Sequence, residues 1–149
     1  MVEKIRIGVL GASGYTGADL VRLALLHPAM EITALTANTH AGKAMSDVFP
    51  HFFMLELPKL VEWEKVDWTT LDAVFCNNDI LALGVLFECL RRGIRVPEDM
   101  GIAGFNDLEF MEAAEPSLSS VRTYRYRVGH SAVAAIRDEL AGKSGDQRI

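Results

Sequence analysis

The stretch VLGASGYTGADL, residues 9–20, decides how the chain is read. Two apolar residues, Val9 and Leu10, run into three glycines, Gly11, Gly14 and Gly17, and from there into an apolar helical pattern. A strand that turns through glycines into a helix leaves the first helical amides without partners, and the helix dipole adds partial positive charge there. A phosphate can rest on those amides if no side chain stands in the way. In such a loop Gly11 makes the tight turn, Gly14 lets the backbone approach a pyrophosphate, and Gly17 packs the helix on the strand. Ser13 and Thr16 add hydroxyl donors. The spacing is GxxGxxG, not the commoner GxGxxG, so two readings stand: a phosphate cradle, or a tight strand–helix turn that holds no ligand.

Outward from this loop the chain alternates. KIRIGVLGA is apolar from Ile5 on, as a strand buried on both faces would be. A helix follows from Tyr15 to His27, where Pro28 stops it. MEITALTAN makes a second strand over 30–37, a loop with a short helix passes Pro50, and LPKLVEW makes a weaker third strand over 57–63. EKVDWTTL is a short crossover to a fourth strand, DAVFC, over 72–76. Asn77, Asn78 and Asp79 offer an N-cap, with Asp79 favoured, to a helix over 80–92 that Gly93 ends. MGIAGFND and SLSSVRT give the fifth and sixth strands. YRVGHSAVAAIRDEL is a closing helix with Val128, Ala132, Ala135, Ile136 and Leu140 on one face, and 141–149 is a tail. The alternation predicts an α/β fold. It would be a three-layer α/β/α sandwich with a doubly wound, mainly parallel sheet of about six strands, Rossmann-like or flavodoxin-like, in one domain over 1–149.

Composition narrows the function classes. Half of the 149 residues are apolar and 23% are charged, which predicts a packed core. A net charge of −5 speaks against a nucleic-acid surface. No apolar run approaches the roughly 18 residues of a membrane span, and the short start before the first strand does not read as a signal peptide. Cys76 and Cys89 form no CxxC and read as reduced buried thiols in a cytoplasmic chain, though Cys76, at a strand end, could also be a reactive thiol. His27, His40, His51 and His130 lack metal-ligand spacing, and no catalytic residue is assigned. An NAD site would place a carboxylate at the end of the second strand. The chain has Thr36, Ala37, Asn38, Thr39 and His40 there, with Lys43 beyond. Neutral hydroxyls plus a base suit the 2′-phosphate of NADP; a solvated loop lysine is the alternative for Lys43.

The run RIGVLGASGYTGADLVRLALLHPAMEITALTANTHAGKAMSDVFPH closely resembles the start of N-acetyl-γ-glutamyl-phosphate reductases, through GASGYTGAxL and AGK…D…P, as far as about Cys76. The resemblance implies an NADP-binding Rossmann half, with the phosphate loop on Gly11, Ser13, Gly14, Tyr15, Thr16 and Gly17. Those reductases continue with a loop of the type ALPHG and take a cysteine nucleophile and a histidine from a later domain. Here NNDILALG follows instead, with no cysteine beyond Cys89, so no enzymatic activity is expected.

Residues 73–140 resemble the C-terminal part of LacI/GalR-type repressors, through NDxxAxG…VPxDxxIxGFxD…PxLSSV. That resemblance implies a fold like a periplasmic sugar-binding protein, with effector contacts at Asn78 and Asn106, and no DNA-reading segment. Natural fusions join at exposed linkers. Two motif sets meeting inside DAVFC therefore predict an engineered chimera, with reductase-derived 1–76 and repressor-derived 73–140. The expected function is a scaffold, the alternative a weak NADP-, phosphate- or sulfate-binding module. The helix over 80–92 is apolar nearly all round, so a homodimer through it and the turn over 108–114, with Leu83, Phe110 and Met111 as candidates, stands beside self-coverage.

Overall fold

Ile7 to Leu10 leave strand β1 (Ile5–Leu10) no wet face, and β1 accordingly lies inside the sheet. The structure is a computed structural model that describes residues 4–142. Along the chain follow α1 (Tyr15–Leu25), β2 (Met30–Thr36), α2 (Met45–Val48), β3 (Leu60–Val61), β4 (Ala73–Cys76), α3 (Asp79–Arg92), β5 (Gly101–Phe105), α4 (Phe110–Ala113), β6 (Ser119–Val121) and α5 (Arg125–Leu140). Single 3₁₀ turns occupy 50–52, 63–65 and 68–70. The strands form one six-stranded sheet in the order β3-β2-β1-β4-β5-β6. Every pairing is parallel. This is the α/β doubly wound sandwich the alternation predicts, and all six strands end at the same edge.

Side-chain alternation divides the core into two layers. Val9, Leu35 and the inner ring of Phe75 pack with Ala18 and Val21 of α1. Leu10, Val74, Cys76 and Ile102 pack with Ala82, Leu86 and Cys89 of α3. The crossover from β3 to β4 lies on the α3 side, where Leu71 sits against Gly8: a Cβ on Gly8 would come within 2.8 Å of a Leu71 methyl.

Several elements differ from the sequence expectation, each for a physical reason. β3 keeps only two residues, because Pro58 has no N–H and the chain turns away at the 63–65 turn. α1 ends at Leu25, two residues before His27, where Leu26 and His27 switch to bonds on the Leu23 and Ala24 carbonyls. Asn78, not Asp79, caps α3, its Oδ1 accepting from the Leu81 N–H at 2.9 Å. Asp79 is fully buried instead. Its carboxylate accepts from the Leu108 N–H at 2.7 Å and the Ser120 hydroxyl at 2.6 Å, which ties α3 to the turn after β5 and to β6. Met111 lies in the core and Leu83 is half-buried, so neither forms an exposed apolar patch; on α3 that role falls to Ile80, Phe87 and Leu90. α5 buries none of its residues, and the predicted core stripe Val128, Ile136 and Leu140 is exposed.

Arg6 and Asp72 fasten the amino ends of β1 and β4. The Arg6 guanidinium donates from Nε and Nη2 to the two carboxylate oxygens at 3.0 and 2.6 Å, and the Arg6 N–H adds a third bond at 2.8 Å. These bonds hold the Asp72 carboxyl down to about 2. Arg91 and Arg92 do the same to Glu88, and Arg95 to Asp99, both also to about 2.

Two outcomes follow. Asp79→Ala leaves the Leu108 N–H and the Ser120 hydroxyl without their acceptor, and should lower unfolding free energy by about 3 kcal/mol in urea titrations, since bonds to a charged group contribute about 1.5–3 kcal/mol each. Asp72, Glu88 and Asp99 have pKa values depressed in the folded state, so their stabilisation is complete above the ordinary carboxylate range near pH 4 and is lost as pH falls towards 2. Thermal midpoints should therefore drop across that window, and less steeply in Asp72→Asn.

Candidate functional site

The carboxyl edge gathers the glycine loop, the end of β2 and the turn after β4. Leu10 pairs with Cys76, so the next residues, Gly11 and Asn77, become neighbours. Gly11 takes φ +75°, the left-handed region that glycine enters without strain. Its N–H donates to the Thr36 hydroxyl at 3.2 Å, and the Ala12 N–H donates to the Thr36 carbonyl at 2.9 Å. A Cβ on Gly11 would meet the Asn77 amide at 2.2 Å, so it is Asn77 that fills the space above this glycine. The Asn77 Nδ2 donates to the Gly11 carbonyl at 3.4 Å, and its Oδ1 accepts from the Asn78 Nδ2 at 2.9 Å.

Gly14 is the N-cap residue of α1, in extended conformation, and no side chain caps the helix. The amides of Tyr15, Thr16 and Gly17 therefore emerge with no intrahelical acceptor. A Cβ on Gly14 would find only ordinary contacts at 3.5 Å, so the loop is open there. Gly17 is closed: a Cβ would lie 2.2 Å from the Gly11 carbonyl oxygen, which brings the first turn of α1 hard against the loop.

A cleft of about 1080 Å³ opens from this loop. Gly11, Ser13 and Gly14 line one part, Thr36 to His40 a second, and Asn77 and Asn78 a third. It then runs down the α3 side, between Leu81, Val85 and Glu88 of α3 and Trp63 and Trp68 of the crossover. Apolar walls with a few convergent polar groups are the usual make-up of a ligand cleft. The His40 Nδ1 is buried without a hydrogen-bond partner among the described residues.

The predicted site residues distribute as follows. Gly11, Ser13, Gly14, Thr36, Asn38 and Asn78 line the cleft. Tyr15 is exposed beside it, its ring 6.0 Å from that of Phe49, and Thr16 lies on the first turn of α1. Lys43 is exposed and is not among the lining residues; its backbone closes the turn to β3, its N–H donating to the His40 carbonyl and its carbonyl accepting from Leu60. Asn106, at φ 116°, lines a separate hollow of about 440 Å³ with Asp107 and residues 122–127. Asn78 and Asn106 thus do not meet in one cleft. Burial pushes the Cys76 thiol up to about 12, with the nearby Asp79 charge adding, so this sulfur is a core atom and not a nucleophile. Trp63, Trp68, the α3 wall and the place of Asn77 over Gly11 are not read from the sequence. Asn77 was within reach of it, because aligning β4 against β1 puts residue 77 beside residue 11.

Comparison with known proteins adds four observations. N-acetyl-gamma-glutamyl-phosphate reductase of Afipia carboxidovorans is 59% identical over 78 residues, which is 51% of this chain and 22% of that protein. A probable chloroplastic N-acetyl-gamma-glutamyl-phosphate reductase of Oryza sativa subsp. japonica is 37% identical over 129 residues, 87% of this chain and 28% of that one. The chain thus spans only 22% to 28% of these relatives. Among solved structures, a LacI family transcriptional regulator from Arthrobacter sp. FB24, in complex with lactose, superposes with a TM-score of 0.61 at 24% identity, over 93% of this chain and 48% of that one. That is a likeness of fold. The expectation of a chain outside enzymes is overturned: its curated relatives are named as a reductase, and the rice match extends beyond the first 76 residues. A cysteine and histidine pair belongs to the whole enzyme, of which the chain covers a fragment. Residues 6–148 match the sequence model of the periplasmic binding protein-like domain, and the chain belongs to that family.

Proposed function

We propose that the chain binds NADP at the glycine loop, as the nucleotide-binding part of a reductase, and that a phosphate or sulfate ion alone can take the pyrophosphate position. The observation that carries this is the bare N-terminus of α1. The amides of Tyr15, Thr16 and Gly17 have no side-chain cap, and Gly14 keeps the approach to them open. The donor set suits the group: neutral Ser13, Asn77 and Asn78 line the cleft at the loop, and the carboxylate in its lining, Glu88, belongs to α3 and is paired with Arg91 and Arg92. At the end of β2 the cleft offers Asn38, Thr39 and His40 without an acid, which suits a phosphorylated ribose over a free diol. Lys43 stands close in sequence and is exposed, so its charge is free to turn towards a bound phosphate. The buried free thiols Cys76 and Cys89 fit a reducing, cytoplasmic setting.

A second reading, that the chain is an engineered scaffold of two parents joined in β4, draws support from the two motif sets that meet there. β4 pairs with β1 of one set and β5 of the other. Ligand binding separates the two, because a scaffold selected only to fold has no need of an open cradle.

In calorimetric titration NADP should release heat with a dissociation constant in the high micromolar range, more tightly than NAD, and inorganic phosphate should compete. Absence of heat with all three sinks the proposal and leaves the scaffold. Gly14→Ala should weaken the heat with only a small change in the thermal midpoint, since a Cβ there meets nothing closer than 3.5 Å. Gly17→Ala should instead lower stability by about 1–3 kcal/mol, because its Cβ collides with the Gly11 carbonyl.

A further inference from the structure

We infer that the chain self-associates by reciprocal docking of α5, each helix covering the α1 side of β4–β6 in a second copy. The inference is independent of nucleotide binding and rests on two surfaces that lack partners among the described residues. The first is α5. Val128, Ala132, Val133, Ile136 and Leu140 fall on one face of it, with Val133 67% exposed, Ile136 62% and Leu140 84%. A lone helix of about this length is marginal in water, so its apolar stripe needs a surface to cover.

The second surface is the sheet itself. Residues 74, 76, 102 and 104 face α3, so Ala73, Phe75, Gly101, Ala103, Phe105, Ser119 and Val121 share the opposite face. α1 covers that face over β1 and β2. Phe75 packs in part against the α1 cluster; over the rest of β4–β6 no helix buries this face among the described residues, and its positions are half-buried or exposed, with Val121 at 44%. Small and apolar residues flanked by Phe75 and Phe105 make a floor on which a helix can lie.

The short link between β6 and α5 favours a second copy over the chain's own helix. The Arg122 guanidinium is paired with the Asp107 carboxylate, and the Thr123 hydroxyl donates to the Asn106 side-chain oxygen at 3.3 Å. The Arg125 N–H turns back to the Thr123 carbonyl at 2.7 Å. Three fastened residues thus hold the start of α5 at the sheet edge, and α5 buries none of its residues there; short hinge links invite exchange between copies. A 16-residue helix is about 24 Å long and 10 Å across. Docked twice, once per copy, it covers roughly 1,000 Å² of combined surface, the level at which specific interfaces begin.

Light scattering on the eluting full chain tests this across low to high micromolar concentration. The expected result is a dimer that dissociates on dilution. Val133→Asp/Ile136→Asp should be monomeric, with a thermal midpoint close to that of the monomeric parent, while Phe87→Glu on the exposed stripe of α3 should remain dimeric. A monomer at every concentration overturns the inference, as does a dimer that survives the α5 double variant or is lost in Phe87→Glu. Loss of folding in the double variant also overturns it, because α5 must then pack on its own sheet.

Discussion

Four residues hold the sheet in one piece. β4 bonds to β1 on one side, with Ile7 opposite Ala73 and Leu10 opposite Cys76, and to β5 on the other, with Ala73 opposite Gly101. A parallel strand has a fixed alternation, so a slip of one residue would turn Val74 and Cys76 out of the α3 layer and move Phe75 into it. The Arg6–Asp72 bonds pin that register at the amino end, and Asn77 over Gly11 pins it at the carboxyl end. The placement of the glycine loop beside the β4 turn is therefore a result of register, and the cleft inherits its geometry from it.

Much of this arrangement could be read from residue pattern. Ile7–Leu10, Leu35 with its neighbours and Val74–Cys76 are apolar runs of strand length between turn residues, and the glycine loop joins the first of them to an amphipathic helix. Where the pattern misled, the deciding atoms were far away in sequence. The pattern favours Asp79 as the cap over Asn78; Asp79 goes inside instead because Gly104 leaves it room and Ser120, on another strand, gives it a donor. β3 was overextended because LPKLVEW has strand-like composition, whereas its length is limited by what β2 can still pair with. α5 reads as a core helix by its periodicity, and periodicity does not say which surface the apolar stripe meets.

The candidate site was legible in its backbone and much less so in its walls. Glycine spacing gives the loop, since a close approach leaves no alternative residue. Asn77 becomes visible only once strands are paired, and Trp63 and Trp68 reach the cleft only because the crossover is short. Lys43, by contrast, reads as a phosphate partner from charge and position, yet its backbone is committed to the turn that carries the chain into β3, and the exposed residue does not line the cleft.

The passage from β3 to β4 makes do with two 3₁₀ turns where a doubly wound sheet ordinarily carries a full helix. The α3 side of β1 and β2 is roofed by little more than Leu71 and the tryptophans, and the cleft continues beneath them. The fold thus holds an unfilled berth. Lengthening a surface connection adds only about 0.6 kcal/mol per doubling, so extra residues between Val61 and Asp72 could grow into that berth without disturbing the strands. The same shortness that enlarges the cleft leaves this protein a ready place to acquire a new structural layer.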